Sequence, residues 1–185
     1  MKKLIFGLAL FAMAASVMAK DTNTREVNGR QGISNDSLQV SEAGKAQEEA
    51  LAPDFTLNDI NGKPLTLSSL RGKIVVIDFW GSWCIWCIKG MPKMKEYYGK
   101  YKGKFEILGV DCNDPQDRWK ATVAKLELPW LHVYNPRNSA DDVCAKYAIQ
   151  GFPTKVIVGA DGKIIKTVIG EDPQFYTFLD ELLKD

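Results

Sequence analysis

The sequence predicts an α/β fold, a central mixed β-sheet flanked by helices on both faces and entered through an N-terminal β-hairpin. Three observations carry that prediction. Residues 74–77 read Ile-Val-Val-Ile, a continuous, mostly β-branched apolar run that suits a strand covered on both faces. From Cys84 onward the apolar spacing lengthens toward a helical period. Strand-like and helix-like segments then alternate as β-α-β-α-β-α-β-β-α, the order of a mixed sheet with helices packed on it. At 185 residues and 45% hydrophobic composition, the chain is long enough for one domain with a proper core.

In chain order, Met1-Lys2-Lys3 and the apolar residues 4–17 give a basic start and a hydrophobic centre, with small residues before a cleavage point near Ala19. The apolar run is shorter than the roughly 20 residues a membrane-spanning helix needs. Residues 1–19 are therefore read as a cleaved signal peptide rather than an anchor, and the protein as exported, to a periplasm-like compartment. No cysteine near the cleavage point suggests a lipid anchor. Removing 1–19 takes away two lysines and no acid, leaving 22 bases against 23 acids. That balance offers no basic field for nucleic acid. Residues 20–50 are polar, with Gly29, Gly32 and Gly44 and little apolar periodicity, and read as an arm or linker with a short helix near 43–50.

The domain proper is expected over 51–185. Phe55-Thr56-Leu57 opens a hairpin that turns at Asn61-Gly62 and returns through Leu65-Thr66-Leu67. Ser68 or Ser69 starts a brief helical turn, the strand at 74–80 follows, and a helix runs over 85–101. Pro92 should bend that helix, because its ring crowds the preceding turn. A strand at 105–111 leads to Asp114-Pro115, where Asp114 is placed as the N-cap of a helix reaching residue 126. Next come a strand at 131–134 and a helix at 140–147. Asp161-Gly162 joins the strands at 154–158 and 164–169. Pro173 starts a last helix, with Phe175, Phe178, Leu179 and Leu182 as its buried stripe.

The chemistry is concentrated where the strand at 74–80 runs into the helix. Cys84 falls at the helix start, where unpaired N–H groups and the positive end of the helix dipole favour a thiolate. Cys87 lies one turn on, close enough to form a short disulfide loop with it. The pair is also half a zinc site. No second C-x-x-C follows, however, and His132 is the only histidine, so a dithiol is the reading and no metal or other cofactor is expected. Asp78 sits inside the apolar strand, where an ionised carboxylate is costly and its pKa should rise. A hydrogen-bonded structural acid is the alternative. Trp80 is expected inward, with Trp83 and Trp86 as core aromatics or as an apolar rim for a protein substrate. Cys112 and Cys144 are open to two readings, a structural disulfide or independent buried thiols. His132, between Leu131 and Val133, reads as a packed residue.

Trp83-Cys84-Ile85-Trp86-Cys87, Asp78 six residues before Cys84, Pro92 five after Cys87, and Gly151-Phe152-Pro153-Thr154 together resemble the thioredoxin superfamily. With Ala52-Pro53-Asp54-Phe55-Thr56-Leu57 and Leu70-Arg71-Gly72-Lys73, the resemblance is closest to its ResA/TlpA-like exported thiol–disulfide oxidoreductases, from about Leu51 onward. The resemblance implies a thioredoxin-like fold, with the helix and strand after Asp111 as that branch's central αβ insertion. Cys84, which precedes the helix and should be more exposed than Cys87, is read as the attacking thiol and Cys87 as the resolving thiol, and the resemblance makes Asp78 the proton acceptor for Cys87. It also implies that Phe152-Pro153 form a cis-proline loop presenting backbone to a substrate.

The sequence departs from the pattern in three places. Ile85-Trp86 replaces the common Gly-Pro pair, the lysine that accompanies the buried acid is not evident near Ile107, and Gly90 stands where ResA-like members often carry a glutamate.

The function expected is reduction of protein disulfides, with a membrane or exported electron donor for recycling. A dithiol oxidase, a peroxiredoxin-like peroxidase and a non-enzymatic binding module are the rivals. Nothing in the residues fixes an oligomeric state.

Overall fold

The computed structural model describes residues 50–184 apart from 137, 138 and 140. The expected signal peptide and all but the last residue of the polar arm, with its short helix, lie outside the described residues. The elements are β1 (Thr56–Asp59), β2 (Pro64–Thr66), a 3-10 turn (Leu67–Leu70), β3 (Ile74–Trp80), α1 (Ile85–Lys100), β4 (Phe105–Cys112), α2 (Gln116–Lys125), β5 (Leu131–Asn135), α3 (Val143–Lys146), β6 (Thr154–Val158), β7 (Ile164–Ile169) and α4 (Pro173–Leu182). The strands form one sheet in the order β2-β1-β5-β4-β3-β6-β7. β3 pairs parallel with β4 and antiparallel with β6, so the sheet is mixed, as the alternating pattern required.

β3 lies inside the sheet between β4 and β6, and every position after its first is buried. Side chains alternate across the sheet, so Val76, Asp78 and Trp80 point one way and Val75, Ile77 and Phe79 the other. The first set meets Met91 and Met94 of α1, Trp119 of α2, and Phe175 and Leu179 of α4. The second set packs with Leu57, Leu67 and Val143. Two apolar layers thus clamp the sheet, and the strand leading to the cysteines is fixed by both. The turns fall where Asn-Gly and Asp-Gly put them, with Gly62 and Gly162 at φ of 81° and 84°, a region only glycine enters freely.

Four expectations need correction. Asp114 does not cap α2: Pro115 holds the N-cap position, and the Asp114 carboxylate reaches across the fold to Ser82. α3 is shorter than the predicted 140–147, because Asp142 accepts from the Cys144 N–H at 2.9 Å and starts the helix at Val143. In α4, Tyr176 is buried while Phe178 and Leu182 are only partly so. The returning hairpin strand is Pro64–Thr66, with Leu67 already in the 3-10 turn.

Candidate functional site

The site begins where β3 ends. Cys84 is the N-cap of α1, in extended conformation (φ −87°, ψ 103°), and its Sγ accepts from the Cys87 N–H at 3.1 Å. A disulfide joins the two cysteines, with Cα atoms 5.3 Å apart. The sulfur of Cys84 therefore lies among the unpaired N–H groups of the first turn, at the positive end of the helix, where a thiolate released by reduction is favoured.

The loop before Cys84 is latched to the end of β4. Asp114 accepts from both the N–H and the Oγ–H of Ser82, each at 2.6 Å. The indole Nε1–H of Trp83 donates to the Cys112 carbonyl at 2.8 Å. Gly81 has to be glycine here, since a Cβ would lie 2.3 Å from the Trp83 Nε1 and 2.8 Å from the Cys112 carbonyl. Trp83 stands edge-on to Phe152, with ring centroids 5.1 Å apart. The Phe152–Pro153 bond is cis, the isomer the resemblance implied. Its loop is pinned by the Thr154 hydroxyl donating to the Gly151 carbonyl at 2.8 Å and the Gly170 N–H to the Pro153 carbonyl at 2.7 Å. Trp83 is 45% exposed, Ile85 62% and Trp86 59%, while Trp80 is fully buried. The Lys89 ammonium sits 4.8 Å from the centre of the Trp86 ring. The disulfide is thus bordered by exposed apolar side chains.

Asp78 lies beneath this surface, buried, on the same sheet face as the α1 residues. Burial pushes its carboxyl up to about 6, Glu171 adds to the rise, and Lys155 opposes it. Lys155 is its cross-strand partner on β6, with Nζ 3.9 Å from Asp78 Oδ1 and 2.7 Å from Glu171 Oε1. The lysine absent near Ile107 is thus supplied by a different strand. Sequence reasoning missed Lys155, although a single charge within the otherwise apolar Thr154–Val158 run was a legible signal. Glu171, just after β7, carried none.

A second acidic pair sits behind the Ser82 latch. Asp111 is buried beside Asp114, and burial first, then Asp114, push its carboxyl up to about 8. An acid raised from 3.8 when unfolded gives stability that is full below pH 3.8 and is lost as pH rises through about 8. Asp111→Asn, with no proton to lose, is expected to flatten the decline in stability between about pH 4 and 9, measured as urea midpoints.

Cys112 and Cys144 are not bonded to each other. The Asn135 side-chain amide donates to the Cys144 sulfur at 3.5 Å, and the Cys112 thiol, held by a hydrogen bond with Cys144 and by burial, is pushed far up. His132 is buried against Trp80 and Trp130, at centroid distances of 6.2 and 5.8 Å, and burial pushes it down to about 4. It packs over Gly109, where a Cβ would meet its Nδ1 at 2.9 Å.

The model of the AhpC/TSA family matches residues 49–167. The thiol-disulfide oxidoreductase ResA of Bacillus cereus is 35% identical over 121 residues, covering 65% of this chain and 68% of that protein. Among solved structures, the thioredoxin domain of a thiol-disulfide oxidoreductase from Bacteroides vulgatus superposes with a TM-score of 0.67 at 29% identity, over 74% of this chain and 97% of that one. A thiol-disulfide oxidoreductase from Bacteroides fragilis gives 0.66 at 27% identity, over 72% and 100%. The chain belongs to the AhpC/TSA family, among its thioredoxin-like thiol–disulfide oxidoreductases.

Proposed function

We propose that this enzyme is an exported reductant of protein disulfides that works through Cys84 and Cys87. The observation that carries the reading is the joined pair at the N-terminus of α1, bordered by exposed Trp83, Ile85 and Trp86, with Trp83 edge-on to Phe152 of the cis-proline loop. A helix-capping sulfur is favoured as thiolate, and an apolar rim suits a partly unfolded protein better than a small polar substrate.

In the reduced enzyme the Cys84 thiolate attacks a substrate disulfide, forming a mixed disulfide and releasing one substrate thiolate. Asp78 takes the proton of Cys87, whose thiolate then attacks the Cys84 sulfur. The Cys84–Cys87 bond forms, the mixed disulfide breaks, and the second substrate thiolate leaves. Two electrons have passed to the substrate, so a membrane or exported donor must return them. Export rests on the signal-like residues 1–19, with cleavage near Ala19, residues 20–50 as an arm and 51–185 as the working domain. Peroxidase chemistry fits less well, because the pattern Pro-x-x-x-Thr/Ser-x-x-Cys is missing before Cys84, where Gly81 stands three residues upstream.

The test is the reduction potential of the Cys84–Cys87 couple in dithiol or glutathione buffers, on a Cys112→Ala/Cys144→Ala background. A value of about −270 mV is expected and fits a reductase. A value of about −120 mV would reverse the direction and make the enzyme an oxidase. Failure of the couple to re-form after reduction would leave a binding module.

A further inference from the structure

One row across the sheet carries three buried ionisable groups, His132, Asp78 and Lys155. Backbone pairing aligns His132, Gly109, Asp78 and Lys155 on β5, β4, β3 and β6. Gly109 contributes no side chain and His132 folds over it beside Trp80. Asp78 is therefore left with Lys155, whose side chain is likewise 2% exposed. Lys155 in turn makes its short contact, 2.7 Å, with Glu171, which is 22% exposed. The charged groups thus form a line from solvent to the strand beneath the cysteines.

Glu171 reaches that position through a gap in α1. A Cβ on Gly90 would lie 2.3, 2.5 and 2.6 Å from the Glu171 Oε1, Cδ and Oε2, so any residue other than glycine displaces the carboxylate. Gly90 is three residues beyond Cys87, one helical turn, so the carboxylate rests against the helix turn that follows the resolving cysteine. The remaining groups around Asp78 are neutral or apolar. Tyr176 of α4 is held neutral by burial, His132 is uncharged, and Phe175 lies 5.6 Å under the Lys155 ammonium. Cys84 and Cys87 of α1 complete the surroundings.

We propose that Glu171, seated in the gap left by Gly90 and tied to Lys155, is a positioning residue that sets how readily Asp78 holds a proton, and so the pH range in which Cys87 resolves the mixed disulfide. This rests on the reading of Asp78 as proton acceptor. Burial pushes Asp78 up, and Lys155 draws it back toward the ionised form, as a neighbouring cation does. Glu171 neutralises much of that attraction, so Asp78 can both accept the Cys87 proton and give it up near neutral pH. The opposing charges on Lys155 and Glu171 also explain how a lysine is tolerated at full burial.

The signs are fixed by the charges. Glu171→Gln removes a repulsion and frees the Lys155 charge, so the Asp78 midpoint should fall by about one pH unit. Lys155→Met removes the attraction and should raise it by a similar amount. Gly90→Ala changes no charge, and it should lower the midpoint by pushing the Glu171 carboxylate away from Lys155. The measurement is a carbon-13 NMR titration of the Asp78 carboxyl in the full chain, paired with the pH profile of mixed-disulfide resolution in single-turnover mixing. Opposite shifts for Glu171→Gln and Lys155→Met, with Gly90→Ala following the first, support the proposal. Midpoints unmoved in Glu171→Gln and Gly90→Ala overturn it, even where Lys155→Met is too unstable to titrate. If midpoints shift as expected but Asp78→Asn leaves resolution unchanged, the failure lies with Asp78 as acceptor, and the electrostatic coupling stands alone.

Discussion

Cys84→Ser is expected to abolish turnover of disulfide substrates, because Cys84 is the sulfur that caps the N-terminus of α1. Cys112 is fully buried and held protonated, so it cannot substitute. The loss should be total within the sensitivity of an insulin-reduction assay, since a serine hydroxyl is not deprotonated by a helix dipole that suffices for a thiol. Cys87→Ser should behave differently. Attack by Cys84 survives, the mixed disulfide cannot resolve, and the enzyme accumulates as a covalent adduct with its substrate. Mass spectrometry of the adduct separates the two roles, and equal trapping by both variants would contradict the order of attack.

Asp78→Asn should slow the enzyme while stabilising it. Buried Asp78 is pushed up to about 6 from 3.8, so the stability linked to it is full below 3.8 and is lost as pH rises through about 6. Above that range the ionised carboxylate costs on the order of 3 kcal/mol. An asparagine carries no such cost, and Lys155 keeps its contact with Glu171. The urea midpoint of Asp78→Asn should therefore exceed that of the wild type at pH 8, with the two converging near pH 4. Resolution of the mixed disulfide should fall by about 10²-fold, the lower end of what a positioned proton acceptor contributes. A variant that is both slower and less stable at pH 8 would indicate a hydrogen-bonded structural acid instead. The paired outcome would mark the strand as one that holds a destabilising group for function.

The Ser82 latch shows why some predictions from local pattern failed. Asp114 before Pro115 has the local pattern of a helix cap, yet Pro115 holds that position. Ser82, thirty-two residues upstream, offers it two donors at once, and a buried carboxylate takes the arrangement that satisfies it best. No window of sequence around Asp114 contains that information. The same holds for Glu171, whose place is created by a glycine on another element, and for the pairing of Asp78 with Lys155, which depends on β6 joining β3 in one register.

Local pattern sufficed for the core strand at Ile74–Trp80, the helix that follows from Ile85, the strands at Thr154–Val158 and Ile164–Ile169 around Asp161-Gly162, and the Cys84-x-x-Cys87 pair at a helix start. These depend on periodicity, turn residues and a three-residue spacing, all of them local. Long-range packing set which charges share the buried face with Asp78, left Cys112 and Cys144 unbonded, and fastened Trp83 to the Cys112 carbonyl. Each of those follows from strand register and side-chain packing between distant segments. Burial makes such contacts decisive, because a polar group removed from water must find whatever partner the fold brings to it.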